Sequence, residues 1–146
     1  MNAFTKATVA GVVGAGATTV LHELTRRLTP NAPRVDLLGM QALAGLLRAA
    51  GVDPPTGGAL YNLTLAGDLI SNTAYFGLAG AGPRDRTVAI GVGLGVAAGL
   101  GAVYLPPHLG LSRLPTERTG RTAALTVALY TAGGAAAGMV YRALPD

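Results

Sequence analysis

The sequence predicts an all-α integral membrane protein: a four-helix bundle with an additional amphipathic helix, interfacial or re-entrant, in its first loop. Three observations predict it. Only 12% of the residues are charged while 50% are hydrophobic, against about a quarter charged in an ordinary soluble domain. The 22 glycines lie inside apolar runs rather than in Gly/Ser linkers, as in membrane helices whose backbones approach closely. Finally, four apolar stretches, about 3–24, 60–81, 87–105 and 122–144, approach or exceed the roughly 20 residues that a span needs. The 146 residues form one transmembrane domain, 1–146.

Composition also removes several function classes. Cys is absent, which excludes disulfides, thiolate catalysis and Cys-based metal sites. The sequence pI of 10.0 comes from ten Arg and one Lys. These sit at the ends of apolar runs, so membrane lipids, and no nucleic acid, are the expected partners. Trp is absent, leaving Tyr61, Tyr104 and Tyr141 as interfacial anchors.

The first run, Ala7 to Leu21 after Lys6, has the pattern of a signal-peptide core and is read as an uncleaved first span, Ala3 to Leu24. Thr8, Gly11, Ala15, Thr18, Thr19 and His22 share one small-and-polar stripe, a packing face. Glu23 and Arg27 then stand at i, i+4 with the acid first, the favourable order. Pro30 and Pro33 stop the helix. The stretch 35–50 is helical in pattern but carries Asp36, Gln41 and Arg48. It is too short and too polar for a span, so it is placed at the interface or folded over the bundle mouth.

The second span, Tyr61 to Gly80, organises the rest. Tyr61, Thr64, Asp68, Ser71, Asn72 and Tyr75 recur at helical spacing on one stripe, while Leu63, Ala66, Ile70 and Ala74 lie around the remaining surface. Lipid offers no hydrogen-bond partners, so the polar stripe must face other helices or a wet cavity. A short connection, Pro83 to Arg86, predicts that spans two and three are antiparallel neighbours. In span three Gly91, Gly95 and Gly99 make a doubled small-xxx-small ridge, a face for close packing or for a homo-oligomer. No Lys-Ser/Thr follows it and no strand precedes it, so it is not a phosphate loop. Span four carries Thr122, Thr126 and Tyr130 on one stripe and a second GxxxG at Gly134 and Gly138.

Four spans put both termini on one side. That side carries Lys6, Arg84, Arg86 and Arg142; the loop side carries Arg26, Arg27, Arg34, Arg48, Arg113, Arg118 and Arg121. The positive-inside rule then makes the loops cytoplasmic and the termini of this multi-pass protein non-cytoplasmic. His22 and Glu23 end span one on the loop side, and Asp68 lies on the order of 10 Å below Tyr61 at the helical rise. Tyr104, Arg121 and Thr126 belong to the same half. The expected shape is a polar pocket open to the loop side.

An ionised carboxylate in hydrocarbon costs at least about 2.5–3.5 kcal/mol, so Asp68 is expected to find a partner in Arg26, Arg121 or His22, with Asn72 one turn away. Asp68, Glu23 and His22 form a set able to do acid–base work on a lipid-soluble substrate. Arg26, Arg27, Asn72, Tyr61, Tyr104, Arg121 and Thr126 complete the ligand-binding candidates, with Arg26, Arg27 and Arg121 meeting an anionic head group. HELTR resembles the start of a zinc-protease helix, but Arg26 stands where the second His belongs, so no metal and no cofactor is expected. The leading reading is a one-sided pocket for an amphipathic lipid or isoprenoid. The alternatives are a small homo-oligomeric channel or transporter for protons, cations or small polar solutes, and a structural assembly factor. The sequence names no reaction.

Overall fold

In the computed structural model, which describes residues 1–145, the chain is helical throughout, and the described residues contain no strand. Six helices follow one another: α1 Ala3–Leu28, α2 Val35–Ala49, α3 Gly57–Gly77, α4 Thr87–Tyr104, the short α5 Leu114–Glu117, and α6 Gly120–Ala143. Three segments are long and apolar enough to cross a membrane: Ala3–Leu28, Arg84–Tyr104 and Gly120–Ala143. The expected second span forms its helix, α3, but it is not among these three.

Local signals set the helix ends. Asn2 caps α1, its Oδ1 accepting from the Thr5 N–H at 2.8 Å. Thr119 caps α6, its hydroxyl accepting from the Thr122 N–H at 3.1 Å; both satisfy donors that a first turn leaves open. α1 runs to Leu28, one turn beyond the predicted Leu24, before the Thr29–Pro33 break. Gly110, at φ 71°, supplies the left-handed turn after α4 and its trailing Pro106–Leu109 turn.

Small residues decide which helices touch. Gly91, Gly95 and Gly99 of α4 are buried against Gly134, Tyr130 and Val127 of α6, so close that a methyl at Gly91 or Gly95 would strike the carbonyl oxygen opposite. Gly11 of α1 meets the Thr73 carbonyl of α3 in the same way, and Gly14 faces Ala137 and Gly133 of α6. These registers run antiparallel: position 91 meets 134 while 99 meets 127, and position 11 meets 73 while 77 meets 7. The packing order is therefore α3–α1–α6–α4. The Gly91–Gly95–Gly99 ridge is covered within the chain rather than left for a second copy.

Two expectations need correction here. α3 and α4 are antiparallel, yet they are not close neighbours: beyond their connecting turn they meet chiefly through the Tyr75 hydroxyl, which donates to the Leu94 carbonyl at 3.0 Å. Glycine complementarity between α4 and α6 outweighs the short connection. Thr126 is not a pocket residue; it is fully buried, and its hydroxyl lies 3.1 Å from the Thr116 carbonyl and 2.9 Å from that of Thr122.

The first and third loops are stitched together at one end. The Arg34 N–H donates to the Pro115 carbonyl at 2.7 Å, the Thr122 hydroxyl to the Asn31 carbonyl at 2.9 Å, and the Ser112 N–H to Gln41 Oε1 at 3.1 Å. At the opposite end Lys6 Nζ stands 5.1 Å over the Tyr141 ring.

Candidate functional site

α3 presents the predicted stripe inward. Thr64 is buried, Tyr61, Asp68 and Asn72 are half-buried, and Leu63, Ala66, Ile70 and Ala74 are all exposed. Ser71 is the exception: it is exposed, and its hydroxyl turns back to the Asp68 carbonyl at 3.1 Å.

At the loop end a cavity of about 500 Å³ is lined by both α1 and α3. α1 contributes Thr18, Thr19, His22, Glu23, Arg26 and Arg27. α3 adds Tyr61, Thr64, Leu65 and Asp68; α2 closes one wall with Val35, Asp36 and Gly39; and Tyr130 reaches in from α6. Val20 and Leu24, 56% and 48% exposed, form an apolar side of the rim. α2 lies close over α3 because Gly39 has no side chain: a Cβ there would press on the Thr64 methyl.

Six of the ten predicted site residues line this cavity: His22, Glu23, Arg26, Arg27, Tyr61 and Asp68. Asn72 stands behind it, its Nδ2 donating to Asp68 Oδ1 at 3.0 Å. Tyr104 and Arg121 lie elsewhere. Tyr104 is 61% exposed beside Arg118 in a second, shallower groove, and Arg121 is exposed at the start of α6. The glycine contacts with α4 fix the rotation of α6, and that rotation sends Thr126 into the helix interface and Tyr130 into the cavity.

The charges pair locally. Arg27 Nε donates to Glu23 Oε1 at 2.8 Å and Arg26 Nε to Glu23 Oε2 at 3.0 Å. Arg34 clasps Asp36 through Nε and NH2, the latter at 2.7 Å. Burial pushes the Asp36 carboxyl up, but the hydrogen bonds and charge of Arg34 outweigh it and hold the group below its ordinary value. Asp68 is the carboxylate left over. Among the described residues no Arg or Lys stands within ion-pair distance of it, so Asn72, not Arg26, Arg121 or His22, is its partner. Each of the two nearby arginines of α1 already has a carboxylate one turn back on its own helix, a cheaper contact than reaching across to α3.

Among the described residues three buried side-chain polar atoms have no hydrogen-bond partner, and all three belong to residues that line the cavity: Thr19 Oγ1, His22 Nε2 and Thr64 Oγ1. A buried polar group left unmatched costs about 1–3 kcal/mol. The His22 ring is oriented on two sides. Nδ1 lies 2.9 Å from the Thr18 carbonyl, and the ring meets Tyr130 edge-on with centroids 5.4 Å apart. A carbonyl can only accept, so Nδ1 carries a proton, and a neutral ring in this orientation has its lone pair on Nε2. His22, Glu23, Asp36 and Asp68 share the cavity, but among the described residues no three His, Asp or Glu side chains are grouped to hold a metal ion.

Sequence reasoning did not find the α2 wall at residue level. Only the notion of a helix near the mouth anticipated Val35, Asp36 and Gly39. Compared with family models, curated proteins and solved structures, the chain matches none.

Proposed function

We propose that the protein is a multi-pass membrane protein whose cavity binds an amphipathic, lipid-like ligand from one membrane face. In this reading α3 is a fourth span, tolerated in lipid because its polar stripe faces α1 and the cavity while Leu63 and Ile70, 48% and 72% exposed, face outward. α2 lies at the interface over the cavity, and the termini are non-cytoplasmic, as the loop arginines suggest.

The observation that carries the reading is the trio of unpartnered atoms around one apolar-rimmed cavity. Thr19, His22 and Thr64 present hydrogen-bonding groups inward, while Val20, Leu24 and Leu65 offer a path for an alkyl chain. One-sidedness weighs against conduction: at the other end α1 is pressed against α3 at Gly11 and against α6 at Gly14.

Native mass spectrometry of the gently solubilised protein, with extraction of bound lipid, tests it. A specific lipid should accompany the wild type and be lost from a folded Asp68→Asn variant. A lipid-free oligomer in both would end the binding reading and direct attention to ion flux in liposomes. An Asp68→Asn variant that keeps its lipid and merely melts lower would make Asp68 a structural group.

A further inference from the structure

We infer that the cavity selects a ligand whose polar head is a primary ammonium group, an amphipathic amine, and that Asp68 and His22 Nε2 receive its N–H donors. The inference rests on the proposed binding role of this cavity and specifies its ligand class.

The carboxylate that the cavity leaves without a cation is Asp68. Arg26 and Arg27 both turn a guanidinium edge to Glu23, and Arg34 turns its own to Asp36. An anionic head group would have to compete with those carboxylates. What remains unpaired includes groups that can accept. Asp68 accepts one bond, from Asn72 to Oδ1, and Oδ2 receives none among the described residues. His22 Nε2 has no partner, and with a proton on Nδ1 facing the Thr18 carbonyl a neutral ring offers its lone pair there. Thr64 is 9% exposed, and its buried hydroxyl is unpartnered and able to accept as well as donate. A primary ammonium has three N–H donors and no acceptor, which complements a carboxylate, an imidazole lone pair and a hydroxyl. The rings of Tyr61 and Tyr130 line the same space and offer faces to a cation. Val20, Leu24 and Leu65 then accompany the tail towards the surface.

Three probes with a common twelve-carbon chain separate the possibilities: the primary amine, the alcohol and the carboxylate. Their binding to the full chain in phosphatidylcholine nanodiscs would be measured against empty nanodiscs. The amine should bind about tenfold more tightly than the alcohol, the factor expected of one charge-assisted hydrogen bond, and the carboxylate most weakly. Asp68→Asn should bring amine and alcohol level. Equal or tighter binding of alcohol or carboxylate to the wild type overturns the amine assignment and leaves a lipid pocket standing. Binding of none of the three overturns both. An amine preference that survives Asp68→Asn removes Asp68 from the site. Should that variant not fold, the ranking of the three probes on the wild type still decides.

Discussion

The two ends of this bundle solve opposite problems with the same helices. Where the termini lie, α1 meets α3 through Gly11 and Gly77, and α1 meets α6 through Gly14 and Gly133. Helix lies close against helix at these glycines, with Phe76 fully buried beside them. Towards the loops, α1 and α3 part around a cavity lined by Asp68, His22 and three unpartnered polar atoms. In a membrane, helix association draws on close packing and interhelical hydrogen bonds rather than on water exclusion. The glycine-packed end holds the helices together, which lets the other end tolerate a cavity and unmatched polar groups. Stability and binding are thus separated along the bundle axis, and substitutions at the two ends should have different signatures.

The largest effect belongs to the close-packed seam that α4 adds to this frame. Leu at Gly95 would collide with the Tyr130 carbonyl and the Thr131 backbone of α6. Overpacking typically costs 1–3 kcal/mol; against rigid backbone Gly95→Leu should cost about 3 kcal/mol or more. A Cβ at Gly93, two residues away, would meet nothing within 4 Å, and Gly93→Leu should stay within about 0.5 kcal/mol of wild type. Thermal unfolding of both variants in one detergent checks the contrast. If the two melt together, close packing is not what holds α4.

Much of this division was legible in the sequence, for reasons that differ by residue. The α3 stripe could be read because 3.6-residue periodicity needs no knowledge of neighbours: Thr64, Asp68 and Asn72 turn inward while Leu63 and Ile70 turn out. The Glu23–Arg27 pair was legible because it is local. Contacts that depend on how one helix is rotated against another were not. Thr122, Thr126 and Tyr130 share a stripe in the sequence, yet the first two lock α6 to loop carbonyls of Asn31 and Thr116 and the third enters the cavity. Each GxxxG was visible; that Gly91 would seat against Gly134 was not, since any small-residue ridge fits several others. Arg121 and Tyr104 were assigned to the site by membrane depth alone, and depth does not fix direction around a helix axis.

Thr126 gives the intermediate effect. Its hydroxyl links α6 to the carbonyl of Thr116 at the end of the bundle that holds the cavity, but it does not line the cavity. Thr126→Val removes that link and leaves a buried carbonyl short of a donor. A loss of about 1–2 kcal/mol in unfolding free energy is expected, with ligand retention per folded molecule unchanged. A Thr126→Val protein that folds normally but no longer holds its lipid would blur the boundary between scaffold and site, and would return Thr126 to the pocket.

The smallest stability effect is the most informative, because its sign is unusual. Thr64→Val replaces an unpartnered, buried hydroxyl with a methyl of nearly the same volume. No intramolecular hydrogen bond is lost, and the cost of holding an unmatched polar group disappears. The delipidated variant should therefore be as stable as wild type or more stable by about 1 kcal/mol. Lipid retention should nevertheless fall, since one of the inward-facing partners is gone. Unfolding of delipidated protein, run beside native mass spectra of the same preparations, separates the two quantities. A variant that is less stable without lipid would mean that the Thr64 hydroxyl contributes to the scaffold, and the division between a packed end and a binding end would not extend to α3.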